Sequence, residues 1–243
     1  KKTYAQVDAL GDDGLADVVR SEEASIVARR TLHALAAQPF LAEALGAVEA
    51  MDGAALEGTL RQATLRLNID ELLDGVVAPL IYSVGERWHT GQLSPAHEHL
   101  STAVISRLLG WLADQYAVAA DAPAVLVTTP AGQLHELGAS LAAATAAACG
   151  WRVVYLGPSL PARDLAAACR TFGARAVALS IVFPEDDPQM DGELRALRAA
   201  LPDDIRVVAG GGGVAAYRPS LDAIGATVVT DLPSLRLTDH SAW

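Results

Sequence analysis

Cysteine is nearly absent: Cys149 and Cys169 are the only two in 243 residues. Their spacing fits neither a zinc site nor a disulfide framework, and both fall in stretches expected to be helical. They read as reduced core thiols of a cytoplasmic protein. Positive charge is also short, with 18 Lys and Arg against 29 Asp and Glu and a net charge of −11. Phosphate contacts need a basic face, so this balance disfavours direct nucleic-acid binding by these residues. No apolar run approaches the roughly 18 uninterrupted residues of a membrane-spanning helix. Lys1-Lys2 leads into polar residues rather than the apolar core of a secretory signal. What is abundant is apolar content, 51% of the chain. That is enough to fill one large domain or two modest ones.

The first half reads as helices, expected at about 22–36, 40–51, 53–67, 69–87 and 95–117. Ser21-Glu22-Glu23 opens the first with acidic residues in its first turn. Asp52-Gly53 punctuates the second boundary, Asn68 caps the fourth helix, and Ser94-Pro95 starts the fifth. Leu56, Leu60, Ala63 and Leu67 recur on one helical face, with Leu65 off it. Long helices with short connections imply a four-helix bundle plus a leading helix over residues 21–118.

Ala119–Pro123 reads as a linker, and beyond it, over residues 123–243, the period changes. Strands are expected near 124–129, 152–156, 176–182, 205–209 and 227–230, alternating with helices near 135–149, 162–172, 190–200, 214–224 and 232–237. Such β/α alternation predicts a flavodoxin-like, doubly wound parallel sheet of five strands. The expected strand order is 2-1-3-4-5, with a ligand crevice between the first and third strands. The fold class is thus all-α followed by α/β.

One run organises the rest. Val125-Leu126-Val127 ends in Thr128-Thr129-Pro130, and Gln133-Leu134-His135-Glu136-Leu137-Gly138 leads into an Ala-rich helix closed by Gly150. A histidine in a loop after a strand stands where open α/β sheets place ligands, and imidazole is a good metal ligand. Ser180-Ile181-Val182 and Gly210-Gly211 follow, each expected at a strand end. The order His-x-x-Gly, Ser-x-Val, Gly-Gly resembles the cobalamin-binding domain of corrinoid proteins. That family has Asp or Glu where Gln133 stands, and Leu where Val182 stands. The resemblance implies His135 as lower axial cobalt ligand, with Gln133 accepting a hydrogen bond from it. It also implies Gly138, Ser180, Val182, Gly210 and Gly211 lining the cofactor's nucleotide tail.

A second constellation lies between the last two bundle helices, where Trp88-His89 is followed after nine residues by Glu98-His99. By composition alone it is a polar loop with a packed Trp. The motif resembles that of CarH-type photoreceptors, MerR-family repressors that sense light with adenosylcobalamin, and the similarity runs over residues 21–240. It implies Trp88, Glu98 and His99 around the adenosyl group, and His89 as upper cobalt ligand after illumination. It further implies a homo-oligomer, a sensor rather than an enzyme, and no membrane partner. The stretch 3–20, with Tyr4, Val7, Leu10, Leu15, Val18 and Val19, resembles the segment after the winged helix-turn-helix of MerR-type regulators. Residues 1–20 are therefore expected to be the remnant that follows a DNA-binding domain, through which alone DNA is contacted. Two other readings stand beside this one. A methyl-carrying corrinoid protein of a methyltransferase system shares the layout but needs no adenosyl pocket. Some related photoreceptors also bind a linear tetrapyrrole, a bilin, which here would be non-covalent because neither cysteine lies in an attachment motif.

Overall fold

The structure, a computed structural model, describes residues 35–237 apart from 117 and 120. The expectations for residues 1–20, and nearly all of the first helix, lie outside them. Helix α1 occupies 35–49. It runs unbroken through Pro39, where a boundary was expected, because Ala37, Ala44, Ala47 and Val48 keep one face buried across that position. Helix α2 (Gly53–Arg66) starts where the Asp52 carboxylate accepts the Ala55 N–H at 2.9 Å. Leu56, Leu60 and Ala63 are buried as the spacing predicts, and Leu65 is exposed.

The expected helix 69–87 is three segments in one continuous rod: α3 (Ile69–Leu72), a π turn (Leu73–Val77) and α4 (Ala78–His89). Asn68 and Glu71 form a reciprocal capping box at its start. The widened turn precedes Pro79, which lacks an N–H and crowds the carbonyl four residues back. Helix α5 (Pro95–Asp114) ends three residues earlier than expected. At its start the Ser94 N–H and hydroxyl both meet His97 Nδ1, at 3.3 and 2.7 Å.

The second layer is a parallel sheet in the order β2-β1-β3-β4-β5, as expected. Its strands are β1 (Ala124–Thr128), β2 (Arg152–Tyr155), β3 (Ala174–Ser180), β4 (Arg206–Gly210) and β5 (Thr227–Val228). The helices are α6 (Leu137–Ala148), α7 (Ala162–Phe172), α8 (Met190–Ala200), α9 (Arg218–Ala223) and α10 (Leu232–Leu237). Strand β3 begins and ends two residues before its expected span, so Ile181 and Val182 belong to the loop. Side chains alternate along β1: Leu126 packs with α7 and α8, while Val125 and Val127 pack under Ala139 and Ala143 of α6.

Helix α6 explains its own composition. Ala139 and Ala143 face the sheet, whereas Leu141 and Ala144 join the core of the bundle. On the sheet side the close approach leaves room for alanine alone among its buried apolar residues, while the bundle side also takes Leu141. The joint is fastened a second time by Arg236 of α10. Its guanidinium makes paired hydrogen bonds to Asp74 at 2.7 and 2.8 Å and reaches Asp70 at 2.9 Å. Burial alone lowers the pKa of that guanidinium, but the bonds and attraction to Asp74, then to Asp70, outweigh it and raise the pKa.

Candidate functional site

His135 lies in the loop between β1 and α6, exposed, directly before Glu136, which caps α6. The sheet order places this loop beside the segment that follows β3. Phe183 from that segment meets the imidazole edge-on, with ring centroids 6.0 Å apart and planes at 80°. From the bundle, Trp88 in the last turn of α4 approaches the same imidazole at 6.4 Å, tilted by 54°. The two strongest sequence candidates, one from each domain, therefore meet.

The loop holding His135 is stitched by hydroxyls. Thr128 donates to the Gly157 carbonyl at 2.7 Å. Thr129 donates to the Gln133 carbonyl and accepts the Ser159 N–H at 2.8 Å. Ser159 accepts the Gly132 N–H at 3.1 Å. Tyr155 at the end of β2 donates to the Glu136 carboxylate at 2.8 Å, and burial pushes its phenol up to about 12. Phe183, Ser159 and Tyr155 were not singled out from sequence, and only the Phe183-Pro184 pair after Ser-x-Val gave a local signal.

Gln133 makes no hydrogen bond to His135 among the described residues. Its side chain is buried and turned away from His135: Oε1 accepts the Val182 and Phe183 N–H groups, both at 2.9 Å, and Nε2 donates to the Pro184 carbonyl at 3.0 Å. Both lone pairs of Oε1 are thus in use, leaving none for an imidazole N–H. The glycines at the end of β4 and just beyond it stand close to other parts of this chain. A Cβ on Gly211 would lie 2.3 Å from the Ile181 carbonyl oxygen, and one on Gly213 would lie 2.8 Å from that of Val182. Their smallness lets this chain's own segment pass. A Cβ on Gly210 would lie 3.1 Å from the Val229 Cγ2.

Ser180 and Gly138 behave differently. A Cβ on Gly138 would lie 2.5 Å from Ser180 Oγ. That hydroxyl is buried and has no hydrogen-bond partner. A buried hydroxyl without a partner is a cost unless something else satisfies it. Val182 borders the same spot, its Cγ2 3.9 Å from the Gly138 position.

On the bundle side, Glu98 in the first turn of α5 accepts from the Thr102 hydroxyl at 2.6 Å and pairs with His99 Nε2 at 3.3 Å. His99 is otherwise exposed, as is His89, the last residue of α4. Among the described residues, no hydrogen bond or ring contact joins Glu98, His99 or His89 to His135. The structure therefore unites Trp88 with His135, and gives the other three no such contact with His135 among the described residues.

Residues 123–231 match the family model of the B12 binding domain, and residues 41–113 match a second B12 binding domain model. The Myxococcus xanthus transcriptional repressor CarA is 32% identical over 180 residues, covering 74% of this chain and 60% of the repressor. The repressor CarH of the same organism is 32% identical over 174 residues, covering 72% of this chain and 58% of the repressor. The chain thus spans about three fifths of the curated relatives it matches. The monomethylamine corrinoid protein of Methanosarcina barkeri superposes with a TM-score of 0.68 at 14% identity, covering 85% of this chain and 99% of that one. That likeness establishes the shared fold.

Proposed function

Because this chain belongs to the B12-binding domain families, with both the helical and the sheet member present, we propose that it is the light-sensing module of a transcriptional regulator, holding adenosylcobalamin between bundle and sheet. The observation that carries the reading is the meeting of Trp88 and His135 across the domain junction. One residue offers an aromatic face from the bundle, and the other offers an exposed imidazole from the sheet loop.

The residues fit the group. Ser180 Oγ is a buried polar atom awaiting a partner, and Gly138, lacking a Cβ, makes room for that hydroxyl. His135 makes no hydrogen bond to the described residues, so a ring nitrogen is available for cobalt. In this reading His135 would be the residue that ligates the cobalt. Trp88 covers the adenosyl group, with Glu98 and His99 completing the rim. When bound, adenosylcobalamin supplies a cobalt–carbon bond that visible light breaks. His89, beside Trp88, would be a second imidazole able to hold the cobalt of a cobalamin that carries no adenosyl group. Bundle and sheet share α6 and the Arg236 ion cluster, so a change over the site is transmitted as a change in how the layers sit. The output is altered self-association, with DNA contacted through a separate domain. The module signals and catalyses no turnover.

The test is an absorption spectrum of purified protein reconstituted in the dark, before and after green light. An adenosylcobalamin spectrum that converts on illumination, with a change in size on gel filtration, is the expected result. A spectrum unmoved by light, or selective retention of methylcobalamin, overturns the sensor reading in favour of a methyl carrier. An additional long-wavelength band identifies a bilin beside cobalamin.

A further inference from the structure

We propose that Gln133 is a positioning residue whose carboxamide ties the His135 loop to residues 182–184 and thereby sets Phe183 against His135. The imidazole is then oriented by ring contact rather than by a hydrogen bond from the residue two places before it. This rests on His135 being the cobalt ligand.

The need for a tie arises where the sheet stops. The ladder between β3 and β4 ends at Ser180 and Gly210, and Ile181 N–H still reaches the Gly210 carbonyl at 2.8 Å. Val182 and Phe183 lie beyond any strand partner, yet both N–H groups are satisfied, because Gln133 Oε1 accepts both at 2.9 Å. The Pro184 carbonyl takes one donor from Gln133 Nε2 at 3.0 Å and another from the Tyr217 hydroxyl at 2.8 Å. Tyr217 in turn accepts the Asp187 N–H at 2.8 Å. The segment carrying Phe183 is thus held from two sides, by Gln133 from the His135 loop and by Tyr217 from the sheet's far half.

A carboxamide meets this demand without ionising. The site calls for an acceptor with two free lone pairs and a donor on one planar group. A carboxylate supplies the acceptors but sets a second oxygen against the Pro184 carbonyl, with the charge buried. An apolar side chain leaves two N–H groups and weakens the hold on one carbonyl. Glutamine at this position is therefore not a weakened substitute for an acid that holds imidazole. It is fitted to a different task, done through Phe183, whose ring meets that of His135 edge-on at 6.0 Å.

The experiment compares wild type, Gln133→Leu, Gln133→Glu and Phe183→Ala. Amide exchange is followed without cofactor. Electron paramagnetic resonance is recorded after Co(II) cobalamin is added to protein labelled with 15N in histidine alone. Gln133→Leu is expected to speed exchange at Val182 and Phe183 by roughly tenfold or more and to reduce the histidine-derived hyperfine fraction. Gln133→Glu should keep most of the protection at both amides, since its oxygens still accept. Phe183→Ala removes an exposed ring, so its fold is retained. It should lower the histidine-derived fraction with the amides still protected. An unchanged exchange rate in Gln133→Leu overturns the tie. A wild-type hyperfine pattern in Phe183→Ala, or in a Gln133→Leu protein with loosened amides, overturns the positioning role alone. No histidine coupling in wild type overturns the ligand assignment and this inference together.

Discussion

The indole of Trp88 and the imidazole of His135 face each other across the junction of bundle and sheet, 6.4 Å between ring centroids and tilted by 54°. Trp88 comes from the end of a helix and His135 from the loop after the first strand. Neither element positions the other locally, so the pairing depends on α6 being packed into both layers.

Trp88→Ala should lower the preference for adenosylcobalamin over methylcobalamin by roughly an order of magnitude or more, the scale of one base–aromatic contact. Trp88 is 39% exposed, so the fold should lose only about 1 kcal/mol. Paired titrations with the two cobalamins give the ratio. If stability falls and the ratio holds, Trp88 is packing alone.

Ser180→Ala should separate binding from stability. The hydroxyl it removes is buried without a partner, so urea unfolding of the cofactor-free protein should show no loss, or a gain of up to about 1 kcal/mol. Cobalamin affinity should fall by roughly tenfold, as for one lost hydrogen bond to a bound group. A variant that binds as tightly as wild type assigns that hydroxyl no role in the cofactor.

His89→Ala and His99→Ala distinguish the candidates for the second imidazole. Both histidines are exposed, so neither change should disturb folding. After illumination in imidazole-free buffer, His89→Ala is expected to give a shifted photoproduct spectrum and to lose cobalamin over hours, while His99→Ala keeps the wild-type photoproduct. The reverse pattern moves the assignment to His99.

Arg236→Met keeps the aliphatic stem and removes the charge that joins α10 to Asp70 and Asp74. The guanidinium side chain is 17% exposed and the two carboxylates are 50% and 33% exposed. The loss should therefore be about 1–3 kcal/mol, below that of a fully buried pair. Urea unfolding followed by circular dichroism measures it. A midpoint equal to wild type means that the α6 contacts alone hold the two layers.

Burial pushes the Cys169 thiol up to about 11, against a weaker opposing pull from Arg170. The folded chain thus favours the protonated thiol more than the unfolded chain does. That contribution is fully present below about pH 9 and is lost as the pH rises through about 11. Stability should drop across that window, less so in Cys169→Ala after allowance for its lower starting value. At pH 8 a pulse of iodoacetamide should label Cys169 only as fast as the chain opens.

Local patterns settled much of this architecture. Helices α2, α7, α8 and α10 stand where apolar spacing and capping residues put them, because those signals act within a few residues. The strand order follows from five alternating β/α units, since right-handed crossovers leave few alternatives. His135, Gly138 and Ser180 were legible because they recur at fixed distances from strand ends. What sequence did not determine is how side chains are shared between distant segments. Gln133 has capacity for an imidazole, and only the approach of residues 182–184 shows that this capacity is already used. The glycines at 211 and 213 look the same whether a ligand or a backbone passes them, and the passing segment is this chain's own. Asp70, Asp74 and Arg236 are unremarkable charges until the fold brings α10 against α3. Each of these was decided by tertiary structure, for one physical reason: hydrogen-bond and steric capacity is local to a residue, whereas what occupies it comes from elsewhere in the chain.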